Sequence, residues 1–193
     1  MEYYAIHAPV FTIEDDTVKQ QIFLKNAYSI AMEERRGVVI PEETLACYRN
    51  IMKGSSGKLV SVIRNYYDNT LKGQKVCMAV NNNMIEILFE KDGKKKTVGW
   101  RMATEKAATF EYMKPLLENA VYAYSQENTD IRERGDVPRF HYFVNNANIN
   151  GVDIPVKIQI RELNFPTGRE NRYYTHGFIK NRGNASPVNG IIA

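Results

Sequence analysis

The chain is expected to fold as an α+β protein, with N-terminal helices followed by an antiparallel β-sheet packed on a helix. Two observations carry this. Apolar residues recur at helical spacing up to about Gly73, and from Val76 onward the period shortens toward two. The clearest case is Ile154, Val156, Ile158 and Ile160 alternating with Lys157, Gln159 and Arg161, the signature of a strand with one buried face.

The elements follow in order. Tyr3 to Ile13 is apolar and aromatic and reads as a short strand or arm. Asp15 and Asp16 supply an N-cap for a first helix, which Leu24, Ala27, Tyr28 and Ala31 continue and Gly37 stops in the left-handed conformation. Pro41 opens a second helix with Leu45, Tyr48 and Met52 on one face, ended by Gly54. Ser55 and Ser56 cap a third, with Leu59, Val62, Ile63 and Tyr66 as its stripe and Gly73 as its close. Strands are expected over Val76 to Val80 and Met84 to Glu90. Lys91-Asp92-Gly93-Lys94 reads as a solvated hairpin tip, because Asp-Gly accepts positive φ, with a return strand reaching Trp100. Thr104 starts a fourth helix that Pro115 kinks. Ala120 to Ser125 is a strand, Gln126 to Pro138 a charged loop, Phe140 to Asn145 a strand, and Asn150-Gly151 a hairpin turn. A loop with Pro166 and Gly168 leads to a last strand, Arg172 to Lys180. The division expected is a helical segment over residues 1–73, an α+β domain over 74–180 and a flexible tail over 181–193.

Bulk properties narrow the classes. The chain has 193 residues, 44% hydrophobic and 25% charged, an ordinary globular composition. No apolar run approaches the roughly 20 residues of a membrane span. Cys47 and Cys77 lie far apart in apolar segments and read as buried thiols, which with no signal peptide points to a reducing cytoplasm. The sequence carries no His-Glu-x-x-His and no Gly-x-Ser-x-Gly pattern. Lys-Gly-Ser-Ser-Gly-Lys at 53–58 has the wrong spacing for a phosphate loop and reads as a helix linker. His7 has no partner by spacing and reads as structural.

The chemistry-bearing stretch is Arg139 to His176. If His141, Tyr174 and His176 share the face of Lys157 and Arg161, one open sheet face holds two imidazoles, two cations and a phenol. Cleavage of RNA needs such groups: a base for the 2′-hydroxyl, an acid for the leaving oxygen and cations for the phosphorane charge. His141 and His176 are then the acid–base candidates, Tyr174 assists, and Lys157 and Arg161 bind phosphate. Residues 157–182 hold six basic and two acidic residues, a net +4 equal to that of the whole chain, which favours a polyanion partner. The same alternation is also what any solvated sheet face shows, and both readings stand at this point.

The stretch "MKPLLENAVYAYS", a charged gap, "RFHYFVNNANINGVDIPVKIQIRE" and then "YYTHGF" resembles the large polyvalent-protein-associated domains of phages and mobile elements. Those modules are similar in layout to the barnase–EndoU–colicin–RelE class of metal-independent RNases. The resemblance covers about Lys75 to Lys180 and matches at His141, Phe143, Lys157, Tyr174 and His176, while Val144-Asn145 departs from the pattern. It implies an RNA-binding, RNA-cleaving domain that needs no metal or organic cofactor. The alternative is a non-catalytic module that binds a host or phage protein through the N-terminal helices.

Overall fold

The computed structural model describes residues 18–80, 83–99, 102–130 and 135–179. The expected N-terminal arm, its Asp15 and Asp16 cap, His7, the end of a return strand at Trp100 and the C-terminal tail lie outside them.

The α+β class holds. Three helices come first: α1 (Val18–Glu33), α2 (Glu42–Gly54) and α3 (Ser56–Tyr66). The left-handed turn after α1 is made by Arg35, at φ 52°, not by Gly37. Gly37 serves a close approach instead, because a Cβ there would lie 2.8 Å from the Asn146 amide nitrogen. Ser55 caps α3 by accepting from the Lys58 N–H at 3.1 Å. The stripes are slightly rotated from those expected. Met52 and Val62 are exposed, while Ile51, Val60 and Tyr67 turn inward. A π-turn, Tyr67–Leu71, and Gly73 at φ 81° lead into the sheet.

The strands are β1 (Val38–Ile40), β2 (Lys75–Val80), β3 (Asn83–Leu88), β4 (Val121–Glu127), β5 (Arg139–Ile149), β6 (Val152–Phe165) and β7 (Gly168–Phe178). Their order is β1-β5-β6-β7-β3-β2, with β4 also on β5. The body is antiparallel, as β5–β6–β7 shows. Two short parallel pairings, β1 with β5 and β3 with β7, make the whole sheet mixed. The β5–β6 turn is the expected one, with Asn150 at φ 54° and Gly151 at φ 78°.

Lys91-Asp92-Gly93-Lys94 is not a hairpin. It opens helix α4 (Lys91–Thr97), capped by the Glu90 carboxylate. Gly93 is buried against β7, where a Cβ would strike the Tyr173 carbonyl oxygen. Lys94 pairs with Asp68 at 2.6 Å, and the Tyr67 hydroxyl donates to the Glu90 carbonyl at 2.9 Å. These tertiary contacts override the local turn preference. The fourth helix is broken into α5 (Thr104–Thr109), a 3₁₀ turn (Phe110–Tyr112) and α6 (Met113–Glu118). The break falls just upstream of Pro115, whose ring clashes with the carbonyl four residues earlier.

The sheet has apolar cover on both faces. On the inner face, Val156, Ile158, Ile160, Phe143 and Tyr173 pack with residues of α2, α3, α5 and α6, so segments on either side of Gly73 share one core. Ile154 is partly buried at its margin. On the outer face, Leu24, Ala27 and Tyr28 of α1 pack with Tyr124, Tyr142 and Val144. Cys47 and Cys77 are exposed, contrary to expectation. In β2 the alternation buries Val76 and Met78 and turns Cys77 out. No helix among the described residues is long and apolar enough to cross a membrane.

Candidate functional site

Residues paired across adjacent strands point to the same side of a sheet, so the register fixes the face of each candidate. His141 pairs with Ile160, and His176 with Ile158. Both imidazoles are therefore on the inner face. Lys157 pairs with Val144 and Arg161 with Phe140, on the outer face. A β-bulge in β7 places Tyr173 opposite Ile160 and Thr175 opposite Gln159, leaving Tyr174 as the extra residue. Its ring joins the outer face, 5.5 Å from Phe140 and beneath Arg161 and Lys96 at 5.6 and 5.4 Å. The expected single constellation is thus divided. Lys157, Arg161 and Tyr174 share one face, and His141 and His176 lie on the other.

The outer-face cations are already engaged. Arg161 pairs with Asp92 at 2.5 Å, and Lys157 lies over the Tyr142 ring at 4.8 Å. His176 is enclosed at 3% exposure. The Thr109 hydroxyl donates to the Lys106 carbonyl at 2.7 Å and so accepts from His176 Nε2–H at 2.8 Å, while Nδ1 lies 2.5 Å from the Tyr173 hydroxyl. Burial holds this ring well below its ordinary value, and the nearby Lys106 charge lowers it further. His176 has the surroundings of a core histidine.

His141 is different. It is 7% exposed and sits where the apolar run of β6 gives way to Glu162, which is buried to the same degree. Its Nε2 faces Glu162 Oε2 at 3.2 Å, and its Nδ1 lies 2.6 Å from Ser125 Oγ. Ser125 in turn meets the Tyr122 hydroxyl at 2.7 Å. Glu162 Oε1 is 2.9 Å from Arg169 Nη1, in an ion pair without a directed hydrogen bond to that buried oxygen. The Arg169 side chain is 62% exposed. Burial pulls the His141 imidazole below its ordinary value, the Glu162 carboxylate partly restores it, and Arg139 lowers it again. The result is a chain of polar groups, Tyr122–Ser125–His141–Glu162–Arg169, running from two half-buried hydroxyls to a solvated guanidinium. An imidazole, a carboxylate and a guanidinium in contact can exchange protons and hold an anion.

Of these groups only His141 was singled out from the sequence as a site residue. Glu162 had a visible signal: it occupies the next inward position after Ile154, Val156, Ile158 and Ile160, where an apolar residue would be expected. Ser125 and Tyr122 had none, because their approach depends on an irregularity in β4.

The class that fold and site define is an α+β domain whose curled mixed sheet carries an acid–base cluster at one end of its inner face. Residues 55–174 match the family of large polyvalent protein-associated domain 3, and the chain belongs to that family. The match begins at Ser55, so it takes in α3, earlier than the resemblance seen in the sequence. No curated protein and no solved structure gave a match.

Proposed function

We propose that this domain, as part of a large polyvalent protein of a phage or mobile element, binds RNA and cleaves it by metal-independent acid–base chemistry centred on His141 and Glu162. The observation that supports this reading is the contact of a buried imidazole with a buried carboxylate whose second oxygen, among the described residues, is met by an exposed arginine. A phosphodiester drawn to Arg169 competes with Glu162 for the guanidinium and releases Oε1. That oxygen takes the proton of the 2′-hydroxyl, and O2′ bonds to phosphorus. The P–O5′ bond breaks, and His141 in its imidazolium form gives the Nε2 proton to the leaving oxygen. The products are a 2′,3′-cyclic phosphate and a 5′-hydroxyl. Arg139 and Arg169 offset the charge that develops on the phosphorane. Lys157, Arg161, Tyr174 and His176 have no part in this chemistry, since they face away or are enclosed.

The test is incubation of the pure protein with a mixed RNA pool, with and without a chelator. Cleavage should survive the chelator, and His141→Ala and Glu162→Gln should each slow it by about 10²–10⁴-fold, the usual worth of a positioned acid or base. Intact RNA after prolonged incubation with wild type overturns the reading.

One observation favours a second reading, a non-catalytic module that binds a host or phage protein. Helix α1 buries Leu24, Ala27 and Tyr28 against the sheet yet also exposes Val18, Ile22 and Ile30, at 75%, 53% and 42%. A helix apolar on both sides offers a partner surface. Wild type that neither binds nor cleaves RNA at low salt, together with loss of partner capture in Ile22→Glu, would favour this module.

A further inference from the structure

We infer that the hydroxyls of Ser125 and Tyr122 form a proton relay that holds the His141 ring in place and serves its Nδ1 as the ring changes charge; this rests on the reading of His141 as an acid–base group. The device is built by a bulge. In β4, Tyr122 pairs with Phe143 and Tyr124 with Tyr142, so Ala123 is an extra residue. In a regular strand, residues three apart point to opposite faces. The inserted residue brings Tyr122 and Ser125 to the same inner face, where their hydroxyls meet at 2.7 Å. Bulges re-aim side chains and are over-represented beside active sites.

The direction of the hydrogen bonds follows from what each group can do. A carboxylate only accepts, so His141 Nε2, 3.2 Å from Glu162 Oε2, carries a hydrogen. In the neutral ring Nδ1 then accepts from the Ser125 hydroxyl, 2.6 Å away, and Ser125 accepts from Tyr122. In the imidazolium Nδ1 carries a hydrogen as well and donates to Ser125, whose own hydrogen turns toward Tyr122. A hydroxyl can reverse in this way because it both donates and accepts. The ring therefore takes up and gives back a proton at Nδ1 without moving and without losing a bond there, and once Nε2 has given its proton to the leaving oxygen, Nδ1–H still donates to Ser125. Ser125 and Tyr122 are half-buried while the ring is enclosed, so the pair leads from Nδ1 toward solvent. Among the described residues, the charged groups around the ring are Glu162 from β6, Arg139 from its own strand with Glu127 opposite it on β4, and Arg169 from β7 beyond Glu162.

The test follows the His141 ring nitrogens by ¹⁵N NMR across pH in the full chain, alongside RNA cleavage. Wild type should show the Nε2–H form when neutral. Ser125→Ala removes the acceptor of Nδ1–H, so the His141 titration should move down by on the order of one pH unit. The alkaline limb of the cleavage profile, where the His141 imidazolium is lost, should move with it, and cleavage should slow by about 10- to 100-fold. Ser125→Thr should restore both, and Tyr122→Phe should give a smaller shift in the same direction. A merely structural Ser125 would change the melting midpoint and leave the titration where it was, and that result overturns the relay whether or not RNA is cleaved. A titration that follows Ser125 in a protein that cleaves nothing supports the relay as a device of His141 and removes only the nuclease reading. If Ser125→Ala does not fold, Tyr122→Phe carries the same comparison.

Discussion

His176 should make the fold acid-sensitive in a way that one substitution can isolate. Both of its ring nitrogens have polar neighbours: Nε2–H donates to Thr109 at 2.8 Å and Nδ1 lies 2.5 Å from the Tyr173 hydroxyl. Burial together with the Lys106 charge keeps the folded ring well below its ordinary value of 6.5, and the hydrogen bond to the Lys106 backbone offsets this only in part. In the unfolded chain the same ring takes up a proton as the pH drops through that ordinary value. The unfolded state therefore binds more protons in acid, so stability is fully present above pH 6.5 and declines below it. The limiting slope is about 1.4 kcal/mol per pH unit for one histidine. His141 is also depressed and works in the same direction. His176→Gln cannot titrate there. It leaves Thr109 bonded to the Lys106 carbonyl and Tyr173 bonded to Thr97 at 2.9 Å. Urea denaturation at several pH values is the assay. Near pH 7.5 the variant should be less stable by about 1–3 kcal/mol, the usual cost of disturbing a buried polar pairing. Between pH 7.5 and 5.5 wild type should lose up to about 1.4 kcal/mol more than the variant. Parallel losses in the two proteins would show that His176 is not what makes the fold acid-sensitive.

Two further outcomes follow from the faces of the sheet. Ile158 is fully buried at the centre of the inner face, so Ile158→Ala should cost about 2–4 kcal/mol in denaturant stability; an unchanged midpoint would refute the strand phase. The double change Lys157→Ala, Arg161→Ala removes cations of the outer face that already sit over Tyr142 and beside Asp92. RNA cleavage rates should stay within about threefold of wild type, as expected for engaged surface charges, and a collapse of activity would place the RNA on that face instead.

The central strand was legible because β6 is half apolar and half polar, so its period fixed its own phase. Asn150-Gly151 was legible because both residues occupy positive φ, which few other pairs accept. The phase of β5 was not. Phe140, Tyr142 and Val144 are as apolar as Phe143 and Ala147, since α1 covers one face and the core the other. A strand buried on both sides carries no alternation, so the sequence pattern alone cannot put His141 on its inner face. Tyr174 and His176, two residues apart, looked like neighbours on one face. The bulge at Tyr174, opposite the Gln159–Ile160 step of β6, leaves no trace in composition. Asp92-Gly93 is a turn signature in isolation, and only the seat of Gly93 on Tyr173 turns it into a helix. Strand β1 is three residues long and takes its place from β5.

The position of Glu162 raises a question of energetics that can itself be tested. A carboxylate and an imidazole, each 7% exposed, lose hydration that their mutual contact repays only in part. Buried ionic groups of this kind can often be replaced by apolar residues of similar volume at no cost, or with a gain of about 1–4 kcal/mol. Removing one partner alone is different, since it strands the other. The informative change is therefore the double variant His141→Leu, Glu162→Met. It continues the apolar run of β6 by one position, leaves Arg169 free to turn into solvent, and returns the Ser125 hydroxyl to Tyr122. If the cluster exists for chemistry, this variant should unfold at equal or higher urea than wild type and cleave no RNA. If the cluster exists to hold the end of the sheet together, the same variant should lose several kcal/mol and melt earlier. A protein that is more stable and inactive would show that the polar end of the inner face is maintained at the expense of the fold. A destabilised one would make His141 and Glu162 structural partners and remove the main support for a catalytic reading.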